Sequence, residues 1–215
     1  MQWILLALVA VSIAAPVAAD PAEQAKAAAP AAIPAAVAAQ RIDELHAQLL
    51  DVMKNAVALG YTGREQKLRT VVPEYYDVGY MASKSLGPHW NSLAADDRSR
   101  YVESFERFMV ANYAGRFDGW SGQSFETLGQ EPAPRDTAVV KSRLIDPEGE
   151  DVVLNYRMHL IDGKWKVIDV FLDGTVSELA LRRSEFVSIV QRDGIDGLVK
   201  TLDAKIAKLA AGGES

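Results

Sequence analysis

The hydrophobic period of this chain changes twice, and that constrains its fold more than any single motif. From Arg41 to Gly115 apolar residues recur at three- and four-residue spacing, from Gln123 to Leu172 they alternate, and from Val176 to Leu209 the helical spacing returns. Helices, then strands joined by short turns, then helices again specify an α+β domain. In it a curved antiparallel sheet of about four strands carries helices on one face.

Ile42, Leu45, Leu49, Val52, Met53, Ala56 and Val57 predict a first helix from Arg41 to Gly60. A second runs from about Arg64 into Pro73, and a third from Tyr76 to Leu86 stops at Gly87-Pro88. Ala95 to Gly115 is the clearest amphipathic segment. Val102, Phe105, Phe108, Met109, Asn112 and Tyr113 share one stripe, with Asp97, Arg100, Glu103 and Arg107 elsewhere. Strands are expected near Gln123–Gln130, Thr137–Ile145, Val152–Leu160 and Trp165–Leu172.

Asp162-Gly163 favours a two-residue hairpin turn. Its register sets Leu160 opposite Trp165, Met158 opposite Val167, Tyr156 opposite Asp169 and Leu154 opposite Phe171. One face is then large and apolar. The other carries Asn155, Arg157, His159 and Lys166 beside Ile168 and Val170 and is half solvated. Closing helices are expected at Val176–Gln191 and Ile195–Leu209, parted by Asp193-Gly194. An aromatic stripe opposite an apolar sheet face makes either a closed core or the walls of a ligand cavity, and spacing alone does not choose.

Ahead of the domain, Trp3 to Ala19 is an apolar run broken only by Ser12, and Val17-Ala18-Ala19 supplies small residues before Asp20. It reads as a secretory signal at residues 1–19 with a mature start at Asp20, the alternative being an uncleaved anchor. Residues 20–40 read as an Ala/Pro-rich linker, with 11 Ala and three Pro from Pro21 to Gln40. The chain has no cysteine, which excludes disulfides, thiolate metal sites, a Cys nucleophile and a lipid-modified Cys. A net charge of −6 over 215 residues is opposite in sign to phosphate-neutralising proteins, so no nucleic-acid partner is expected.

Motifs for chemistry are sparse. His46, His89 and His159 fall on a helix, a loop and a strand without carboxylates at ligand spacing, so no metal is expected. Gly119-Trp120-Ser121-Gly122 lacks the spacing of a nucleophile elbow and reads as a turn. No Gly-rich phosphate loop is present. Lys141, Arg143, Arg157 and Lys166 in the strands, and Lys200, Lys205 and Lys208 near the end, read as solvated charge or as basic patches.

Asp169 is the one carboxylate that the hairpin register sets on the apolar face. It acts there as a general base beside Tyr156, as in small cavity isomerases, or as half of a structural ion pair with Arg183 on the following helix. An adjacent Arg keeps a carboxylate ionised and weakly basic, which favours the ion pair.

Several blocks are similar to one family. These are Tyr76-Asp77, Leu86-Gly87 with Trp90, Phe105 through Tyr113-Ala114, Asn155-Tyr156-Arg157, Trp165 through Val170, Gly174 and Arg183-Ser184-Glu185-Phe186. In order and spacing, from about Gly60 to Leu209, they resemble the MlaC or toluene-tolerance family of lipid carriers. Phe117 through Gly122, Asn155 through Met158 and Arg182 through Phe186 further resemble its hopanoid-associated branch, HpnM.

The resemblance implies an NTF2-like, MlaC-like fold around a hydrophobic pocket, and a monomeric periplasmic shuttle for phospholipid or hopanoid between inner and outer membranes. It implies as partners membrane-bound MCE-domain and ABC-transporter complexes or an outer-membrane complex, with no catalysis and no cofactor beyond the bound lipid. The expected pocket lining is Phe105, Phe108, Met109 and Tyr113 from the helix, with Leu154, Tyr156, Met158, Trp165, Val167 and Phe171 from the sheet. The family's usual Tyr before the Arg of its Tyr-Arg-x-x-Phe run is Arg182 here, at the implied pocket mouth. The remaining alternatives are a cavity enzyme using Asp169 and Tyr156 and a closed structural adaptor.

Overall fold

A computed structural model describes residues 36–212 of the chain. The expected signal sequence and most of the expected linker lie outside the described residues. Helix α1 (Ala36–Lys54) begins five residues before the predicted start, inside the segment read as linker. Ala38 is fully buried there, and the Ala39 amide donates to Gln130 Oε1 at 2.9 Å, so the last alanines pack against a strand instead of linking.

Helix α2 (Ala56–Tyr75) contains a break at Gly60, whose φ of 58° and ψ of −177° lie outside helical space. Glycine alone enters that conformation without strain, so the expected helix stop is realised as a kink. Asp77 starts α3 (Val78–Ser85), accepting the Tyr80 amide at 2.9 Å, and a short α4 (His89–Ser92) follows. Helix α5 (Ala95–Arg116) is the long amphipathic helix.

The sheet is an antiparallel meander of β1 (Ser124–Ala133), β2 (Thr137–Ile145), β3 (Val152–Ile161), β4 (Lys164–Leu172) and β5 (Val176–Ser177), in that spatial order. Five strands form where about four were expected, because Val176–Ser177 turns back onto β4 before the last helix starts. On the same strand, Tyr76 bridges Val167, and the Asp77 amide donates to the Val167 carbonyl at 3.0 Å. The outer edge of β4 is therefore covered by β5 at one end and by the Tyr76–Asp77 segment nearer the other. Helix α6 (Glu178–Ala210) closes the chain and breaks at Gly194 (φ 70°), where the sequence predicted a gap between two helices.

The hairpin register departs from expectation at one point. Leu160 opposes Trp165 and Met158 opposes Val167 as predicted, but a bulge then sets Arg157 opposite Asp169, Tyr156 opposite Val170 and Leu154 opposite Leu172. One extra residue in β4 moves everything after it to the other face, since side chains alternate with a period of two. Val170 and Leu172 thus join Tyr156 and Leu154 on the helix-covered face, and Asp169 and Phe171 leave it.

The core lies between that face and the helices. Tyr76, Tyr101, Phe108, Phe186, Leu45, Leu68, Met158 and Leu202 are among its largest fully buried side chains. Arg64, also buried, donates to the carbonyls of Ala114 at 2.8 Å and Ala56 at 3.1 Å. Its guanidinium is thereby satisfied by a carbonyl in the last turn of α5, where helix carbonyls lack partners, and by one at the start of α2.

Candidate ligand cavity

Along α5 the side chains of Phe105, Phe108, Met109, Asn112, Tyr113 and Arg116 fall on one face by the three- and four-residue spacing of a helix. They form one wall of a cavity of about 90 Å³. The facing wall is Leu154, Tyr156, Val170 and Leu172 of the sheet, and Leu179 and Arg182 of α6 close the side together with Tyr76, Met81, Phe117 and Glu178. The lining is mainly aromatic, aliphatic and thioether.

Of the ten residues expected to line a pocket, Phe105, Phe108, Met109, Tyr113, Leu154 and Tyr156 surround this cavity. Met158 and Val167 are fully buried core, and Trp165 is buried beside them; none of the three borders the cavity. Phe171 pairs with Asn155 on the opposite face because of the bulge. Arg182, which the resemblance set at the pocket mouth, lines the cavity, and so do Met81, Asn112, Arg116, Leu172 and Glu178, which were not assigned to it. Asn112 and Arg116 continue the α5 face at helical spacing, whereas Leu172 enters through the bulge and Glu178 through the course of α6.

The aromatic hydroxyls form a small polar seam in the apolar wall. Tyr76 and Tyr113 share a hydrogen bond, and the Tyr156 hydroxyl lies 3.2 Å from His46 Nε2. Burial pushes all three tyrosines up, so they remain protonated donors across the physiological range.

His46 stacks on Phe125 at 4.1 Å between ring centroids. Burial pushes its imidazole down to about 4, against the weaker pull of Asp43 toward the charged form. The unfolded chain therefore takes up a proton near pH 6.5 that the native state refuses until about pH 4. This contribution to stability is fully present above about 6.5 and is lost as pH falls toward 4, amounting to about 3 kcal/mol. Denaturant midpoints near pH 7 and near pH 4.5 are expected to differ less in His46→Gln than in the unaltered protein. Asp169, whose carboxyl burial pushes up, acts in the opposite sense in both proteins and cancels from the comparison.

The expected Asp169–Arg183 pair does not form. Asp169 accepts from Ser177 Oγ at 2.6 Å, from the Leu179 amide at 3.1 Å and from its neighbour Val170 at 2.8 Å. Ser177 in turn accepts the Ala180 amide at 2.9 Å, so the two side chains together cap the start of α6. Arg183 is exposed and lies over Gly87, where an added Cβ would meet its Nε at 2.9 Å. Asp169 and Tyr156 stand on opposite faces, so the general-base pair is not assembled either.

Asp169 lines a second cavity of about 290 Å³ on the outer face, with Tyr80, Arg135, Arg157 and His159. There His159 Nε2 lies 2.9 Å from Asp77 Oδ2, joining β3 to the start of α3. The strand cations are largely paired: Lys141 with Glu131 at 2.7 Å, and Arg143 with Glu126 at 2.7 Å and Asp151 at 3.5 Å.

The sequence model of the MlaC protein family matches residues 43–204, three quarters of the chain. The chain belongs to the MlaC family. It is 27% identical over 140 residues to the intermembrane phospholipid transport system binding protein MlaC of Haemophilus influenzae, covering 61% of this chain. The match spans 65% of the length of that relative. The fold is that of a phospholipid-binding protein from Ralstonia solanacearum solved in complex with a phospholipid. The two share a TM-score of 0.71 at 22% identity, over 80% of this chain and 98% of the other. The cavity thus sits in an MlaC fold, between the meander and helices α5 and α6. No helix among the described residues of this MlaC-family chain is long and apolar enough to cross a membrane.

Proposed function

We propose that the protein is a phospholipid-binding transport protein whose acyl chains lodge between α5, α6 and the inner face of the sheet. The observation that carries this function is the cavity itself: an apolar space walled by Phe105, Phe108, Met109, Leu154 and Leu172, reaching charged residues only at Arg116, Glu178 and Arg182. The phospholipids named for the two relatives fit such a lining. No catalytic group is needed, and lipid is the only ligand invoked.

At about 90 Å³ the space is well below the ~300–1,000 Å³ of ligand-sized pockets, so an acyl chain enters only as the lining gives way. Met81 and Met109, unbranched and adaptable, suit that role, as do the breaks at Gly60 and Gly194 in the helices around the core. Burial from water is worth about 0.8 kcal/mol per methylene, so about thirty methylenes contribute roughly 24 kcal/mol gross. That is too much to release into water, but most of it is recovered when the chain passes to another apolar site. The carrier therefore loads and unloads while docked, and its partners set the direction.

The finer assignments extend the same function. The protein works as a monomer in the periplasm, exported by the apolar leader at residues 1–19, and exchanges phospholipid or hopanoid with membrane-bound MCE-domain and ABC-transporter complexes or an outer-membrane complex. Native mass spectrometry of the chain from Asp20, purified without detergent, followed by solvent extraction, tests it. A stoichiometric bound lipid is expected. A protein that arrives without lipid and takes none from vesicles would overturn the carrier function in favour of a closed adaptor.

A further inference from the structure

At the mouth of the cavity a cation stands beside apolar walls without a partner. Arg182 lines the cavity, and its guanidinium carbon lies 4.7 Å from the centroid of the Phe108 ring. The neighbouring charges are committed elsewhere. Glu178, one turn earlier on α6, accepts from Arg116 at 2.9 Å, and Glu185 pairs with Lys205 at 2.9 Å. Among the described residues Arg182 makes no side-chain hydrogen bond or ion pair, and burial lowers its pKa from the ordinary guanidinium value.

A second group shares the polarity of this space. Asn112, on α5 one turn from Phe108 and one from Arg116, is 6% exposed. Its amide nitrogen donates to the Phe108 carbonyl at 2.8 Å, while its Oδ1 is buried without a partner.

Leaving a cation half desolvated beside aromatic walls is costly unless a counter-charge meets it. Locally three cations, Arg116, Arg182 and Lys205, face two carboxylates, Glu178 and Glu185, in a chain whose net charge is −6. The mouth is thus a cationic spot on an acidic protein, and the missing partner is an anion. The apolar cavity behind it requires that the anion carry a tail.

We infer that Arg182 is the residue that selects the ligand's head: the cavity takes an amphiphile whose acidic oxyanion, the phosphodiester of a glycerophospholipid, is bound by the Arg182 guanidinium at the mouth, with Asn112 Oδ1 accepting from a polar group at the neck. This deepens and rests on the carrier function above, and it disfavours an uncharged polycyclic or diacyl lipid as the principal cargo. The planar fork of Arg offers a phosphate two parallel donors where Lys offers a point charge.

The test uses the chain from Asp20 incubated with vesicles containing equimolar dioleoylphosphatidylglycerol and dioleoylglycerol in a phosphatidylcholine-free matrix of ether-linked lipid. The two probes share their acyl chains and differ in the phosphate head. Lipid retained on the re-isolated protein is quantified by mass spectrometry, with thermal melting recorded in parallel.

The unaltered protein is expected to retain phosphatidylglycerol over dioleoylglycerol by about tenfold or more, the ratio for one charge-assisted hydrogen bond or a bidentate pair. Arg182→Gln is expected to bring the ratio near one while retaining dioleoylglycerol as before, and Arg182→Lys to keep an intermediate ratio. An unaltered protein that takes both lipids equally would overturn the inference and leave the carrier function standing, whereas one that takes neither would overturn both. Equal loss of both lipids in Arg182→Gln with a lowered melting temperature would show that Arg182 only fastens α6 to Phe108, and would overturn the assignment as well.

Discussion

Replacing Leu154 by Trp is expected to cut the lipid that co-purifies with the protein by at least tenfold while leaving a folded domain. Leu154 is half-buried on β3, two residues from Tyr156 on the same face and opposite Leu172, and it forms part of the cavity wall. An indole there projects into the cavity of about 90 Å³ and occupies the space the acyl chain needs. Overpacking costs about 1–3 kcal/mol in a filled core, and less where a void receives the added atoms.

Native mass spectrometry gives the lipid content and thermal melting the fold, with an expected shift of a few degrees. Phe171→Trp, on the opposite face, serves as the control and is expected to retain lipid in full. Undiminished lipid in Leu154→Trp would place the acyl chains somewhere other than this cavity.

The largest expected loss of stability is in Phe186→Ala. Phe186 is fully buried on α6 and packs edge-on against two rings of α5, Phe105 at 6.3 Å and Phe108 at 6.1 Å between centroids. These contacts hold the two helices that wall the cavity against one another. Truncation removes the ring's burial and leaves a space that the surrounding rings only partly fill, a cost of about 3–5 kcal/mol. Urea unfolding at neutral pH, compared by midpoint with an unchanged slope, measures it. A loss below about 0.5 kcal/mol, the range of surface substitutions, would mean that α6 does not seal the core as described.

The elements themselves were legible in the order of residues. The α5 stripe carries Phe105, Phe108, Met109 and Tyr113 to the cavity because a helix repeats every three to four residues whatever lies beyond it. The Asp162-Gly163 turn forms as expected, both residues lying at positive φ, because the conformation is local to those two positions. Gly60 and Gly194 likewise mark breaks that the structure realises as kinks within longer helices. The residues quoted for the family likeness fall within the matched span of the MlaC family, most of them on these regular elements.

What failed turned on one residue of register. Counting back from the turn sets Asp169 against Tyr156, and from that placement came both the ion pair with Arg183 and the general-base alternative. A bulge before Asp169 has no marker in the alternation, since Val167, Ile168 and Val170 are all apolar and suit either face. Once the strand slips, Asp169 caps α6 through Ser177, Phe171 leaves the lining and Val170 and Leu172 enter it. Arg182 and Arg183 are adjacent in the chain and have the same chemistry. Only the crossing of α6 over α5 decides which of them stands over Phe108.

By itself the sequence determined the main helices and four of the five strands, that the sheet is antiparallel, and which face of α5 is apolar. Each of these follows from interactions within a few residues, so the periodicity and the turn residues carry them directly. Only the tertiary structure decided that the apolar faces enclose a space instead of closing completely, that β4 bulges, and that Arg182 packs over Phe108 while Arg183 lies over Gly87. Those outcomes depend on packing between residues far apart in the chain, where one inserted residue or a small change in helix crossing alters the partners of every side chain beyond it.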